Sequence, residues 1–163
     1  MRLVLDSNEY IFGLSEDLNR PASIQLMNQI PALLESVEDF ILVVPNIIRV
    51  EVHRNLAPHR LPRFYRLIRR RNVLLRWTDN VSESLLKKYS RQMKEEDALI
   101  AAICEAEQVD CIISENRHFY EQLQTQVFLI LTAEQFLYDF EMEEIWKKIQ
   151  QVRWNRSNIS QRC

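Results

Sequence analysis

Residues Lys94 to Phe119, KEEDALIAAICEAEQVDCIISENRHF, decide the fold. Leu99, Ile100 and Ile103 form an apolar stripe at helical spacing, and Ala101 and Ala102 keep that surface thin enough to lie close against a sheet. Cys111-Ile112-Ile113 is a short apolar run of the kind that fills a parallel strand covered on both faces. Polarity then returns abruptly at Ser114, Glu115, Asn116, Arg117 and His118. A helix that feeds a parallel strand runs antiparallel to it, so the helix start and the strand end share one edge of the sheet. Asp97, in the first helical turn, is therefore expected beside Asn116. Ligands of open α/β sheets bind at that carboxyl edge, which makes the pair a candidate site.

The same alternation extends outward. Arg2-Leu3-Val4-Leu5 reads as a first strand ending at Asp6, which places this acid at the same edge. Leu14 to Arg20 reads as loop, and Pro21 to Ser36 as a helix kinked or broken at Pro31. Phe40 to Val44 is a second strand, after which Pro45 and Asn46 open a helix that carries Glu51 back within reach of the edge. Pro58 and Pro62 bracket a turn before a basic helix over Arg63 to Arg71. A strand from Val73 to Trp77 follows, then a helix over Val81 to Gln92 with Thr78, Asp79 and Asn80 as caps. Beyond the deciding stretch come a last strand, Val127 to Leu131, and a helix from Ala133 to Phe140. The C-terminal run from Glu143 is amphipathic for about three turns and then frays into a polar tail. Strands alternating with helices define an α/β class with a mostly parallel sheet.

The 163 residues, 47% of them hydrophobic, suit one domain with a substantial core. No apolar run approaches the roughly 20 residues of a membrane span, and MRLVLDSNEY turns polar too early for a signal peptide, so a soluble cytoplasmic protein is expected. Three cysteines, Cys104, Cys111 and Cys163, make neither a disulfide framework nor a zinc site. A single glycine, Gly13, excludes Gly-rich phosphate loops. The net charge of −2 conceals an uneven distribution: Arg49 to Lys94 holds 13 of the 21 basic residues against Glu51, Asp79 and Glu83. Phe64, Tyr65, Trp77 and Tyr89 are interleaved among them, as a surface tracking phosphates and stacking bases requires. Arg69, Arg70 and Arg71 are the phosphate contacts expected there, and Arg117 and His118 those expected beside the acids. The plainer reading is a solvated basic surface or one that meets an acidic partner.

Asp6, Glu51 and Asp97 thus converge on one edge with Asn116. Singly, each acid suits a cap or a helix dipole. Together they repel unless a cation lies between them, and hard oxygen ligands select Mg²⁺ or Mn²⁺. Such an ion activates water and neutralises a phosphodiester during in-line displacement. Ser114 has no evident partner base, so covalent catalysis is disfavoured.

In order and spacing, VLDSN at Val4 to Asn8, VPNIIRVEV around Glu51, EEDALIAAI around Asp97 and IISENRHF at Ile112 to Phe119, followed by ILTAEQFL, resemble the PIN domain, and within it the VapC-like toxin ribonucleases. The resemblance spans about residues 1 to 138 and implies a three-layer fold, a central sheet of four to five strands with helices on both faces. The implied domain is 1–140, with 141–163 a helical extension and polar tail. It further implies catalytic Asp6, Glu51, Asp97 and Asn116, the three acids holding one or two divalent ions, with Asn8 and Ser114 in support. RNA as substrate, a small antitoxin partner and a homodimer belong to the same implication. Many PIN domains carry aspartate where this chain has Asn116, which leaves three carboxylates and suits one ion in the free protein. The competing expectation is a PIN-like module that binds RNA or protein without turnover.

Overall fold

The computed structural model describes residues 1–160; the end of the expected polar tail, with Cys163, lies outside them. Five strands, β1 (Arg2–Leu5), β2 (Ile41–Val44), β3 (Val73–Leu75), β4 (Cys111–Ile113) and β5 (Leu129–Leu131), form one sheet in the order β3-β2-β1-β4-β5. Every pairing is parallel. The three central strands, β1, β2 and β4, are buried between helices and need only three or four residues to cross the core, where Leu3, Val4, Leu42, Val43, Ile112 and Ile113 are fully inaccessible, while β3 and β5 are half-exposed edges. The helices are α1 (Ser7–Ser15), α2 (Pro21–Ser36), α3 (Asn46–Asn55), α4 (Leu61–Ile68), α5 (Glu83–Ser90), α6 (Glu95–Ala106), α7 (Arg117–Glu121), α8 (Ala133–Glu141) and α9 (Glu144–Ser160). This is a PIN-like α/β arrangement, with helices flanking an all-parallel sheet.

Order β3-β2-β1-β4-β5 means that the chain leaves β1 toward one side and later adds β4 and β5 on the other. The switch point, where the two connections diverge and leave a crevice, therefore lies at the carboxyl ends of β1 and β4. Register puts Leu5 opposite Ile113, so Asp6 and Ser114 emerge side by side there.

Several local expectations change. Between Asp6 and the expected loop lies a helix, α1, capped by the Asp6 carboxylate on the Ser7 amide, and it takes in Leu14 and Ser15, the first two residues read as loop. Gly13 lets α1 meet α2 closely: a Cβ there would stand 2.2 Å from Met27 Cγ and 2.5 Å from the Ser23 carbonyl oxygen. Pro31 sits inside an unbroken α2. Helix α5 is capped by Ser82, not by Thr78, Asp79 or Asn80. Asn116 to Glu121 is not wholly loop, because Asn116 caps α7.

The two largest corrections concern charge. Helix α4 ends at Ile68, so Arg69, Arg70 and Arg71 do not fan around a helix but occupy the turn that feeds β3. That turn is at the amino edge, opposite Asp6, where Arg70 pairs with Glu35. At the C-terminus, α9 does not fray after three turns. Ile145, Ile149 and Val152 bury its inner face, and Arg153 and Arg156 reach Asp110 at the start of β4, which anchors its last turns. No helix among the described residues is long and apolar enough to cross a membrane, and Cys104 and Cys111 are free and buried.

Candidate metal-binding acidic site

Asp6 is the centre of the carboxyl edge. Its backbone amide completes the β1–β4 ladder on the Ile113 carbonyl at 2.9 Å, which fixes the side chain at the crevice. Its carboxylate accepts from the Ser7 amide at 2.8 Å and from the Ser114 hydroxyl at 2.6 Å. The residue is 5% exposed. Burial pushes this carboxyl above the usual carboxylate range, the bonds from Ser114 and Ser7 pull it back, and the charges of Glu51 and Asp97 raise it further.

Ser114 joins two halves of the site. While donating to Asp6, its Oγ accepts the Asn116 amide at 3.0 Å. Tyr120 Oη holds the Ser114 carbonyl. Asn116 then spends both ends of its side chain: Oδ1 accepts the His118 amide at 3.0 Å, capping α7, and Nδ2 donates to Asp97 Oδ1 at 3.1 Å. The other Asp97 oxygen lies 3.2 Å from His118 Nδ1. Asp97 and Asn116 therefore meet, with the amide acting as donor to the acid. Glu115 points away, accepting the Ala133 amide at 3.3 Å and pairing with Arg20 at 3.6 Å.

Glu51 lies half-buried on α3 and lines a cleft of about 430 Å³ that includes Asn46, Arg54, Asp79 and Glu96. Asn8, in the first turn of α1, is half-buried, and Arg117 is exposed at the start of α7. Among the described residues, no three His, Cys, Asp or Glu side chains stand close enough to hold one metal ion between them. The carboxylates are thus near enough to repel but are not gathered around a point. An all-oxygen donor set of this open kind fits Mg²⁺ or Mn²⁺, ions that keep several waters and take only one or two carboxylates plus substrate phosphate.

Two groups escape the sequence reading. Glu9 is completely buried one turn beyond Asp6; Ser23 donates to its Oε2 at 2.7 Å and its Oε1 has no partner among the described residues. Burial pushes its carboxyl up to about 7 despite the Ser23 bond. The only advance sign was Asp6 followed three residues later by Glu9, a helix-start spacing. The second is a role of His118, expected beside the acids as a phosphate contact but found against Asp97, a contact created by the Asn116 cap rather than by any metal-ligand spacing.

No family model matches the sequence, and no curated protein matches it. Among solved structures, a chain of VapBC2 from Rickettsia felis, crystallised bound to a DNA fragment from their promoter, matches with a TM-score of 0.50 at 14% identity. The match covers 81% of this chain and 98% of that one. At that identity the likeness is one of fold, and it agrees with the PIN-like sheet and its flanking helices.

Proposed function

We propose that the chain is an endoribonuclease that depends on Mg²⁺ or Mn²⁺ and hydrolyses RNA phosphodiesters at the carboxyl edge. The observation that carries this reading is Asp6, a buried carboxylate at the topological switch point whose described partners are Ser7 and Ser114, facing the charges of Glu51 and Asp97. Asp6 and Asp97, with Glu51, would hold the ion. When bound, it neutralises phosphodiester charge and activates water. The chain's own residues supply order: Ser114 fixes the Asp6 carboxylate, while Asn116 and His118 orient Asp97. Arg117, exposed at the start of α7, would meet substrate phosphate. Arg69 to Arg71 stand at the opposite edge and would add affinity only for RNA long enough to cross the molecule.

The fold, shared with a chain of a VapBC2 complex, supports a toxin of a toxin–antitoxin pair; with that reading go a small protein covering the acidic edge, a homodimer as the working form and action in the cytoplasm. The test is cleavage by purified protein. RNA cutting is expected, EDTA stops it, and Asp6→Asn and Asp97→Asn abolish it; undiminished cleavage by both variants overturns the reading. The open spacing of the acids favours a second reading, a PIN-like module that binds RNA or protein without turnover. A ligand bound only by the folded state raises its melting temperature. A flat melting temperature across millimolar Mg²⁺ and Mn²⁺ would decide for the second reading.

A further inference from the structure

The basic segment from Arg49 to Lys94 offers four aromatic rings, and the fold disposes of three of them. Phe64 and Tyr89 are fully buried, and Tyr65 hydrogen-bonds His53 through its hydroxyl at 2.8 Å. Trp77 remains 68% exposed. Its backbone follows β3 directly, since the Arg76 amide extends the ladder to the Val44 carbonyl at 3.1 Å. Trp77 therefore stands at the carboxyl edge, on the Asp6 side of the sheet and not on the side of Arg69 to Arg71.

The ring is held rather than loose. The Arg76 guanidinium donates to the Asn80 carbonyl at 2.7 Å, and Asn46 Nδ2 donates to Asp79 Oδ2 at 3.2 Å, so the loop is tied at both ends. Asn46 also accepts from the guanidinium of Arg49, which lies over the Trp77 ring 4.4 Å from its centroid. One ring face is thus occupied by a fixed cation while most of the indole stays in water. Asn46, which holds Arg49, and Asp79, two residues past Trp77, line a cleft of about 430 Å³ that also contains Glu51. A rigid, water-exposed indole with an arginine on it, next to a cleft shared with a candidate catalytic acid, has the parts of a single-strand binding surface: a flat apolar face for a base and a guanidinium for the adjoining phosphate.

We infer that Trp77 and Arg49 form a stacking platform for an unpaired RNA base flanking the scissile phosphodiester. This inference rests on the ribonuclease reading and names how that site selects its substrate: single-stranded RNA is bound, and duplex RNA, whose bases are already stacked, is not. Arg49 precedes Glu51 by two residues on α3, so platform and acid are positioned by one helix.

The experiment measures binding of a short, fluorescently labelled single-stranded oligoadenylate in EDTA, which prevents cutting, alongside quenching of the protein's tryptophan emission. Wild type is expected to bind saturably with quenching, and duplex RNA to give neither. Trp77→Ala is expected to lose the quench and roughly ten- to a hundredfold in affinity. Trp77→Phe keeps most of the affinity, and the melting temperatures stay unchanged because the ring is exposed. With Mg²⁺ present, Trp77→Ala raises KM while kcat at saturating RNA is retained. If Trp77→Ala binds and cuts like wild type while Asp6→Asn is dead, the platform is overturned and the nuclease reading stands. If wild type neither binds nor cuts RNA, both fall. A dimer in sedimentation that Trp77→Ala dissociates, with RNA affinity unchanged, also overturns the platform by assigning Trp77 to contact between copies.

Discussion

Asp6 and Asp110 stand at opposite ends of one parallel sheet, 5% and 1% exposed, and the fold treats them in opposite ways. Asp110, just before β4, receives Arg153 at 3.0 and 2.7 Å, Arg156, and the Arg2 backbone amide at 2.9 Å. Burial alone would raise its carboxyl, but these partners outweigh burial and hold it below the usual range. Asp6, at the end of β1, receives an amide and a hydroxyl, and its carboxyl is pushed up by burial and by two neighbouring acids. A buried carboxylate matched by guanidinium groups is a clasp. One left facing like charges at a sheet's switch point has no cation among its described partners, and under the proposed function a divalent ion with its substrate would balance it.

The contrast breaks most visibly at the clasp. Asp110→Ala leaves Arg153 and Arg156 without their shared anion and loosens the end of α9, at an expected cost of about 3–5 kcal/mol in urea unfolding. RNA cleavage per folded molecule should not change, because the clasp is at the amino edge. A loss of specific activity matching that of Asp6→Asn would show that the two edges are not independent.

Asp6→Asn reverses the pattern. Cleavage is expected to fall at least a hundredfold, about 3 kcal/mol of transition-state stabilisation. Melting temperature in EDTA should rise, since the amide oxygen keeps the bond from the Ser7 amide, the Ser114 hydroxyl can turn to accept from the new NH2, and repulsion from Glu51 and Asp97 is relieved. The stabilisation that Mn²⁺ gives wild type should disappear. A variant less stable than wild type in EDTA would mean that the Asp6 charge is compensated after all.

This opposition was half legible in the residues. The carboxyl edge followed from strand and helix alternation, because a residue just past a buried strand has one place to go, and Asp6, Ser114 and Asn116 all occupy such positions. Asp97 followed because a helix antiparallel to its strand starts at that edge. The amino edge was not legible. Arg153 and Asp110 are 43 residues apart, and nothing local to either reveals the other. The basic segment misled for a related reason: a count along the chain merges Arg69 to Arg71 with Arg49 and Trp77, although β3 carries the chain from one edge to the other between them. Helix α1 went unassigned because the glycine and polar first turn of SNEYIFGLS weaken its helical signal, and only the close contact with α2 at Gly13 reveals it.

Glu9 lies between the two extremes, buried with Ser23 as its partner and no guanidinium on it. Its pKa in the folded protein is pushed up to about 7 from the ordinary 4.5, so the folded state holds the proton more tightly. Stability from this group is complete below about pH 4.5 and is lost as pH rises through 7, by on the order of 3 kcal/mol. Glu9→Gln should therefore stabilise the protein at pH 8, leave it unchanged near pH 4, and flatten the fall in melting temperature between them. An unaltered pH profile would assign the wild-type slope to another group.

The smallest expected effect tests how far the acidic edge is already compensated. Asn116 donates Nδ2 to Asp97 Oδ1 at 3.1 Å while its Oδ1 caps α7, so the amide quiets one carboxylate without a cation. Asn116→Asp keeps the capping oxygen but turns the donor into a second anion against Asp97. Without metal, the exchange of a hydrogen bond for a repulsion should cost about 1–2 kcal/mol. With metal, the fourth carboxylate raises the negative charge that attracts an ion, so calorimetric titration should show Mn²⁺ binding tightened about tenfold and room for a second ion that three carboxylates hold only weakly. Wild type should take one ion. Two tight ions in wild type, or no gain in the variant, would mean that Asn116 serves the α7 cap and Asp97 alone, and that the ion sits toward Glu51.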